Sequence, residues 1–171
     1  MIRIALVGDI GSGKSYLSRQ FGYPVFSADK EVSKLYKKNK KCYLKLKKEL
    51  PDFIYSFPVK KNKLASAILY KENNLKKIIK IVHIEIRKKL NFFLRKNKNK
   101  KIVILDIPLL LENKINKKND ILIFVKSKRS EVLKRLKKRK NYNYKLIKKF
   151  RNIQLPLDFK KKKSHFVVNN N

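Results

Sequence analysis

Apolar residues run almost unbroken through four short stretches of the chain. Ile2 to Val7, interrupted by Arg3, opens into a glycine-rich turn; Ile102-Val103-Ile104-Leu105 delivers Asp106; Ile121 to Val125 forms a third run; Phe166-Val167-Val168 ends in asparagines. Short runs rich in branched residues are the pattern of strands buried on both faces of a parallel sheet. Pro24-Val25-Phe26 predicts a fifth, shorter strand. Between the strands the apolar spacing turns helical: Tyr16–Phe21 continues a helix that begins near Lys14 and stops at Gly22, and Lys30–Leu50 follows as a second. Leu64–Tyr70 and Leu75–Leu94 come next, the latter with Leu75, Ile78, Ile79, Val82 and Ile86 on one face, and then Arg129–Lys140 and Lys145–Gln154. Pro51–Pro58 reads as an aromatic loop, Pro108–Glu112 as a short apolar turn, and Asn141–Lys145 as a polar, aromatic interruption of the kind a mobile lid uses. Strands alternating with helices predict an α/β fold: a five-stranded parallel sheet flanked by helices, with the first strand at its centre and right-handed crossovers.

The turn after the first strand changes the picture. Gly8-Asp9-Ile10-Gly11-Ser12-Gly13-Lys14-Ser15 fits G-x-x-x-x-G-K-[ST], the loop that cradles phosphates between a buried strand and a helix. The chain has 4 glycines, and three of them fall in this loop, which argues against an accidental match. Without a Cβ, these positions let the backbone turn sharply and bring its N–H groups to phosphate oxygens. Lys14 is expected to reach the terminal phosphates as a point charge, and the Ser15 hydroxyl to ligate Mg2+. The fold expected is therefore that of the P-loop nucleoside triphosphate hydrolases. Asp106, at the end of an apolar strand, suits the carboxylate that supports that metal ion, or else an acidic cap on the next turn. Asp29 follows a strand expected to adjoin the phosphate-loop strand, and position alone leaves it either a helix cap or a catalytic base. His83 and Arg87, four apart, project from one side of their helix, as do Arg135 and Arg139 on theirs. A lone His on a half-apolar helix is more often packed than catalytic.

With 171 residues, 43% of them hydrophobic, the chain is expected to bury one good core with mobile appendages. The single Cys42 excludes an intramolecular disulfide framework and fits a reducing interior. Met1 leads straight into a strand, so no secretory signal is expected, and runs such as Ile102–Leu111 are too short for a membrane span. A formal charge of +35 invites a nucleic-acid reading. The lysines are spread over nearly every segment from Lys30 to Lys163 instead of gathering on one face, which favours a solvated lysine surface and no dedicated nucleic-acid partner. No second His, Cys or acidic cluster lies at zinc-ligand spacing.

The order of motifs resembles that of the dephospho-coenzyme A kinases over nearly the whole chain. That family opens with G-G-I-G-S-G-K-S/T, matched here with Asp9 in place of a glycine, and continues with D-A-D, matched by Ser27-Ala28-Asp29. Its I-V-H-P-x-V-R is similar to Ile81-Val82-His83-Ile84-Glu85-Ile86-Arg87, and its most distinctive element, D-x-P-L-L-F/Y-E, to Asp106-Ile107-Pro108-Leu109-Leu110-Leu111-Glu112. R-L-x-x-R corresponds to Arg135–Arg139, Q-x-P-x-x-x-K to Gln154–Lys160, and the closing A-D-x-V-I-x-N to Ser164–Asn170. Ser27, Ser33, Lys61, Ile84, Val132 and His165 stand where the family usually has Asp, Arg or His, Arg, Pro, Gln and Asp.

The resemblance implies transfer of the γ-phosphoryl group of ATP to the ribose 3′-hydroxyl of dephospho-coenzyme A, in the cytoplasm, by a monomer. It implies nucleotide contacts from Asp9, Ile10, Gly11, Ser12, Gly13, Lys14, Ser15 and Tyr16, with Arg135 and Arg139 closing from a lid over residues 135–150. Asp29, Lys14 and Arg139 would be catalytic, Asp29, His83, Arg87, Pro108 and Leu109 would hold the acceptor, and Ser15 and Asp106 the Mg2+. Residues 1–29 and 101–171 would form the nucleotide-binding core of a single kinase domain, and 30–100 its helical coenzyme A region. The alternatives are another small-molecule kinase of this architecture, acting on a nucleoside or nucleotide, and a basic nucleic-acid-binding protein with a vestigial phosphate loop.

Overall fold

A computed structural model describes all residues, Met1–Asn171. The chain divides into two compact units, one made of Met1–Ser27 with Asn97–Asn171, the other of Ala28–Lys96.

The first unit is a five-stranded sheet built from β1 (Ile2–Val7), β2 (Val25–Ser27), β3 (Ile102–Asp106), β4 (Ile121–Lys126) and β5 (Phe166–Asn169). The strands run parallel in the order β2-β3-β1-β4-β5, so β1 is central as its apolar run predicts. Leu6, Ile104, Ile123 and Val125 form a buried cluster, against which Leu17, Phe21, Val25 and Val168 pack. One expectation is corrected here. β2 does not adjoin β1, because β3 lies between them, with Ile2–Ala5 paired to Ile102–Leu105 on one edge and Ser27 paired to Asp106 on the other. Val103, Ile104 and Leu105 are fully buried, and a strand that apolar is placed inside a sheet, where both its edges find partners and both its faces are covered.

Four helices belong to this unit: α1 (Lys14–Gln20), α6 (Arg129–Lys137), α7 (Tyr144–Asn152) and α8 (Leu157–Lys162). The helix predicted over Arg129–Lys140 stops at Lys137. Lys137, Lys138, Arg139 and Lys140 are consecutive cations with no apolar residue among them, so extending the helix would add like-charge neighbours and bury nothing. Arg139 accordingly lies exposed in the turn beyond α6 and does not share a helix face with Arg135. α8 escapes the sequence reading because six residues, three of them lysines, carry no periodic signal. His165 shows how one departure from the family pattern is absorbed. Its Nδ1 accepts the Leu122 N–H at 3.0 Å while its own N–H donates to the Leu122 carbonyl at 2.9 Å, closing the start of the β4–β5 ladder.

The second unit is all helical, with the long α5 (Glu72–Lys96) packed against α2 (Ala28–Lys38), α3 (Lys40–Glu49) and α4 (Lys61–Tyr70). Leu75, Ile78, Val82 and Ile86 supply its buried face as predicted, but Ile81 is buried where Ile79 was expected. The single helix predicted over Lys30–Leu50 is two helices. Asn39 interrupts it in an extended conformation and its side chain accepts the Cys42 N–H at 2.8 Å, a restart that asparagine favours as an N-cap.

Candidate active site

β1 runs into the glycine turn, and α1 begins at Lys14 as the motif predicts. Gly8, Gly11 and Gly13 all adopt positive φ, at 143°, 88° and 95°. Space adds to the requirement at all three. A Cβ on Gly8 would stand 2.7 Å from the Val125 carbonyl oxygen of β4, one on Gly11 would stand 2.9 Å from Cγ of the buried Leu136, and one on Gly13 would collide with the Asn170 side chain. Lys14 is buried and folds back over the loop, donating to the carbonyls of Gly8 at 3.1 Å and Asp9 at 2.6 Å. Those carbonyls hold the ammonium at the loop, where it is poised to turn to a phosphate. Ser12 is buried with its Oγ unpartnered, and Ser15 and Tyr16 are exposed at the start of α1.

Three further side chains complete this loop, and sequence reasoning assigns a role to one of them. Arg135, from α6, donates to Ser127 Oγ at 2.9 Å and to the Asn170 carbonyl at 3.1 Å, and lies 3.5 Å from the Ser12 carbonyl of the loop. Asn170 donates from its side chain to the Ser12 carbonyl at 2.8 Å, tying the end of β5 to the loop. Arg151, from α7, pairs with Asp9 through Nε–Oδ1 at 3.2 Å and Nη2–Oδ2 at 2.8 Å. No local pattern signals a partnership 142 residues apart in the chain. Ile10 contributes a backbone N–H to the Asp9 carboxylate at 2.7 Å.

Asp106 ends β3, the strand hydrogen-bonded to β1, and is 3% exposed. Its carboxylate and the Ser15 hydroxyl are hard oxygen donors of the kind Mg2+ takes alongside water, so the residues present fit that ion. Pro108 and Leu109 follow in the turn, both half-buried. The same turn carries Glu112 into a buried knot. Its carboxylate pairs with Lys160 Nζ at 2.7 Å and accepts the Leu155 N–H at 3.0 Å, while Lys160 also donates to Gln154 Oε1 at 3.2 Å. Two motifs far apart in the chain, one ending in Glu112 and the other running from Gln154 to Lys160, are thus partners in one structural device.

In the helical unit, Asp29 lies inside the first turn of α2, exposed, two residues past the end of β2 in the chain. Its carbonyl accepts the Ser33 hydroxyl at 2.9 Å, and Ser33 in turn accepts Lys61 Nζ at 2.9 Å. Ser33 and Lys61, both departures from the family pattern, are therefore hydrogen-bonded to each other. His83 is half-buried on α5. Burial first, and the Arg87 guanidinium second, push its pKa down, so it is neutral at physiological pH. Arg87 is exposed one turn on.

Comparison with known proteins agrees with this geometry. A model of the family described as dephospho-CoA kinase matches residues 2–171. A dephospho-CoA kinase of Wolbachia pipientis wMel is 32% identical over 170 residues, covering 96% of this chain and 87% of that protein. A crystal structure of a Thermus thermophilus protein superposes with a TM-score of 0.76 at 26% identity, covering 99% of this chain and 88% of that one. A dephospho-CoA kinase from Campylobacter jejuni shares the fold, with a TM-score of 0.63 at 22% identity over 98% of this chain and 87% of that one.

Proposed function

The chain belongs to the dephospho-CoA kinase family, and from that membership we propose a division of labour among its residues. Its reaction is the ATP-dependent phosphorylation of the ribose 3′-hydroxyl of dephospho-coenzyme A, the last step of coenzyme A biosynthesis. The observation that carries the reading is the phosphate loop itself, with Lys14 held at its mouth and Asp106 ending the adjacent strand. The loop N–H groups and Lys14 bind the phosphates of ATP, with Ile10, Gly11, Ser12, Gly13, Ser15 and Tyr16 lining them. Ser15 and Asp106 would hold Mg2+, which would neutralise charge on the nucleotide phosphates. Arg135, and Arg139 from the turn after α6, add positive charge where it builds on the transferring group.

Asp29 accepts the proton of the acceptor hydroxyl, a role that its sequence context and its exposed carboxylate support. His83, Arg87, Pro108 and Leu109 belong to the acceptor subsite, with Arg87 on phosphate because its fork suits phosphate oxygens. In this assignment the unit Ala28–Lys96 is the coenzyme A region, the remainder is the nucleotide-binding core, and residues 135–150 are the lid. The enzyme acts as a cytoplasmic monomer with no dedicated nucleic-acid partner. No helix is long and apolar enough to cross a membrane.

Coupled measurement of ADP release against a panel of acceptors tests the assignment. Dephospho-coenzyme A is expected to be turned over far ahead of nucleosides, nucleotides and shikimate. Preference for a nucleotide acceptor would overturn it.

A further inference from the structure

Asp9 puts a carboxylate inside a loop built to bind anions. It occupies two groups suited to phosphate: Oδ1 takes the Ile10 N–H at 2.7 Å, and the carboxylate as a whole takes the Arg151 guanidinium in a two-bond pair of 3.2 and 2.8 Å. Its backbone carbonyl holds a third, Lys14 Nζ, at 2.6 Å. The carboxylate thus engages donors of the kind a phosphate oxygen takes.

Arg151 is well placed to be released. α7 has no buried residue, and its side-chain pairing to the loop is the Asp9 contact, with the side chains of Arg151 and Asp9 still 32% and 22% accessible. Beyond it the chain is fixed, since Leu155 donates to Glu112 and Gln154 accepts from Lys160. A guanidinium fork that fits a carboxylate fits two phosphate oxygens equally well, and the polyphosphate of a nucleotide carries more charge than one carboxylate.

We propose that Asp9 and Arg151 form an exchange latch: the Asp9 carboxylate holds Arg151 at the phosphate loop, and the nucleotide polyphosphate takes that arginine from it on binding. Arg151 then becomes a phosphate ligand supplied by α7, and Asp9 a built-in competitor that keeps the arginine in place until nucleotide arrives. The inference rests on the reading that nucleotide binds at this loop.

A double-mutant cycle on ATP affinity, measured by calorimetry on the full chain at fixed ionic strength, tests it. Asp9→Asn keeps the shape and an acceptor for Ile10 but removes the competing charge, and is expected to tighten ATP about threefold to fivefold, the range of a partly exposed ion pair. Arg151→Gln is expected to weaken ATP about tenfold, and Arg151→Lys less, since the charge remains without the fork. The deciding quantity is the sign of the coupling. With an exchanging arginine, Asp9→Asn tightens ATP more when Arg151 is present than when it is Gln. With a static ion pair the order reverses, because Asp9 without its arginine repels the phosphates more. That reversed order, or strict additivity, in a protein that binds ATP overturns the latch alone; a wild-type chain that binds no ATP overturns the loop reading and the latch together. Arg151→Lys carries the same sign at smaller size and takes the place of Arg151→Gln should that variant not fold.

Discussion

Lys14 and Cys42 are both buried, yet they answer to opposite demands. Lys14 is held at the loop through donation to the Gly8 and Asp9 carbonyls, contacts that a mobile side chain can leave for a phosphate. Replacing it with Ala removes no apolar packing of the sheet, so the fold is expected to persist by circular dichroism while turnover falls about a hundredfold or more. Retained turnover would strip Lys14 of its catalytic role. Cys42 sits in the helical unit, where burial first and the charge of Glu85 second push its thiol from 9.0 up to about 11, against a smaller opposing pull from Lys45. The folded thiol therefore keeps its proton over a range in which the unfolded thiol loses it. The stability this contributes is complete below about pH 9 and is lost as pH rises toward 11. Native protein at pH 8 is expected to resist iodoacetamide, which should react with one thiol per chain in denaturant. The alkaline fall in urea midpoint is expected to be shallower in Cys42→Ala than in wild type. Fast alkylation of the native protein, or equal slopes, would show the thiol to be accessible.

At the scale of elements, the turn after β3 is held by the Glu112–Lys160 pair, whose side chains are 9% and 2% exposed. Breaking such a pair leaves an uncompensated buried charge, so Glu112→Leu or Lys160→Met alone is expected to destabilise the fold by about 3–5 kcal/mol, whereas the double replacement is expected to come close to neutral. Urea denaturation of the three variants checks this, and equal losses in single and double variants would mean that the pair has no mutual role. The Glu112 and Lys160 motifs were legible as letters, but their partnership was not, because sequence spacing says nothing about which distant turns meet. The inner strands β1, β3 and β4 were legible because buried parallel strands leave continuous apolar runs, and the phosphate loop because glycines with Lys14 and Ser15 have few other uses. The edge strands β2 and β5 were legible only as short β-branched and aromatic stretches, since β5 is largely exposed. The position of β3 between β1 and β2 was hidden, since chain order does not fix strand order. The break at Asn39 was hidden for a different reason: one capping side chain among lysines does not disturb the apolar period on either side. Arg151 was missed because nothing near it in the chain marks it, and Asp9, legible as a departure from the family motif, gave no hint of its partner.

For the whole molecule the dominant quantity is the formal charge of +35, spread over both units. Ion pairs such as Arg3–Asp120, Arg151–Asp9 and Lys160–Glu112 engage a small part of it, because 12 acidic side chains face 47 lysines and arginines, so most of the positive charge repels itself across the surface. Two stabilising effects with different signatures follow. Raising NaCl from about 10 mM to 150 mM shortens the screening length from roughly 30 Å to 8 Å and should raise the melting temperature whatever the state of the phosphate loop. ATP at about 100 times its Kd, compared at matched ionic strength, should add about 2.7 kcal/mol through binding to the folded state alone, or several degrees for a chain of this size. Lys14→Ala separates the two: the salt increment is expected to survive and the ATP increment to shrink. DNA or RNA should bind weakly and without sequence preference, with an affinity that collapses as salt rises, because scattered lysines neutralise phosphates without reading bases. If Lys14→Ala gained as much from ATP as the wild type does, the nucleotide would be stabilising the chain as a counterion to its surface, and the assignment of the loop as its binding site would fall.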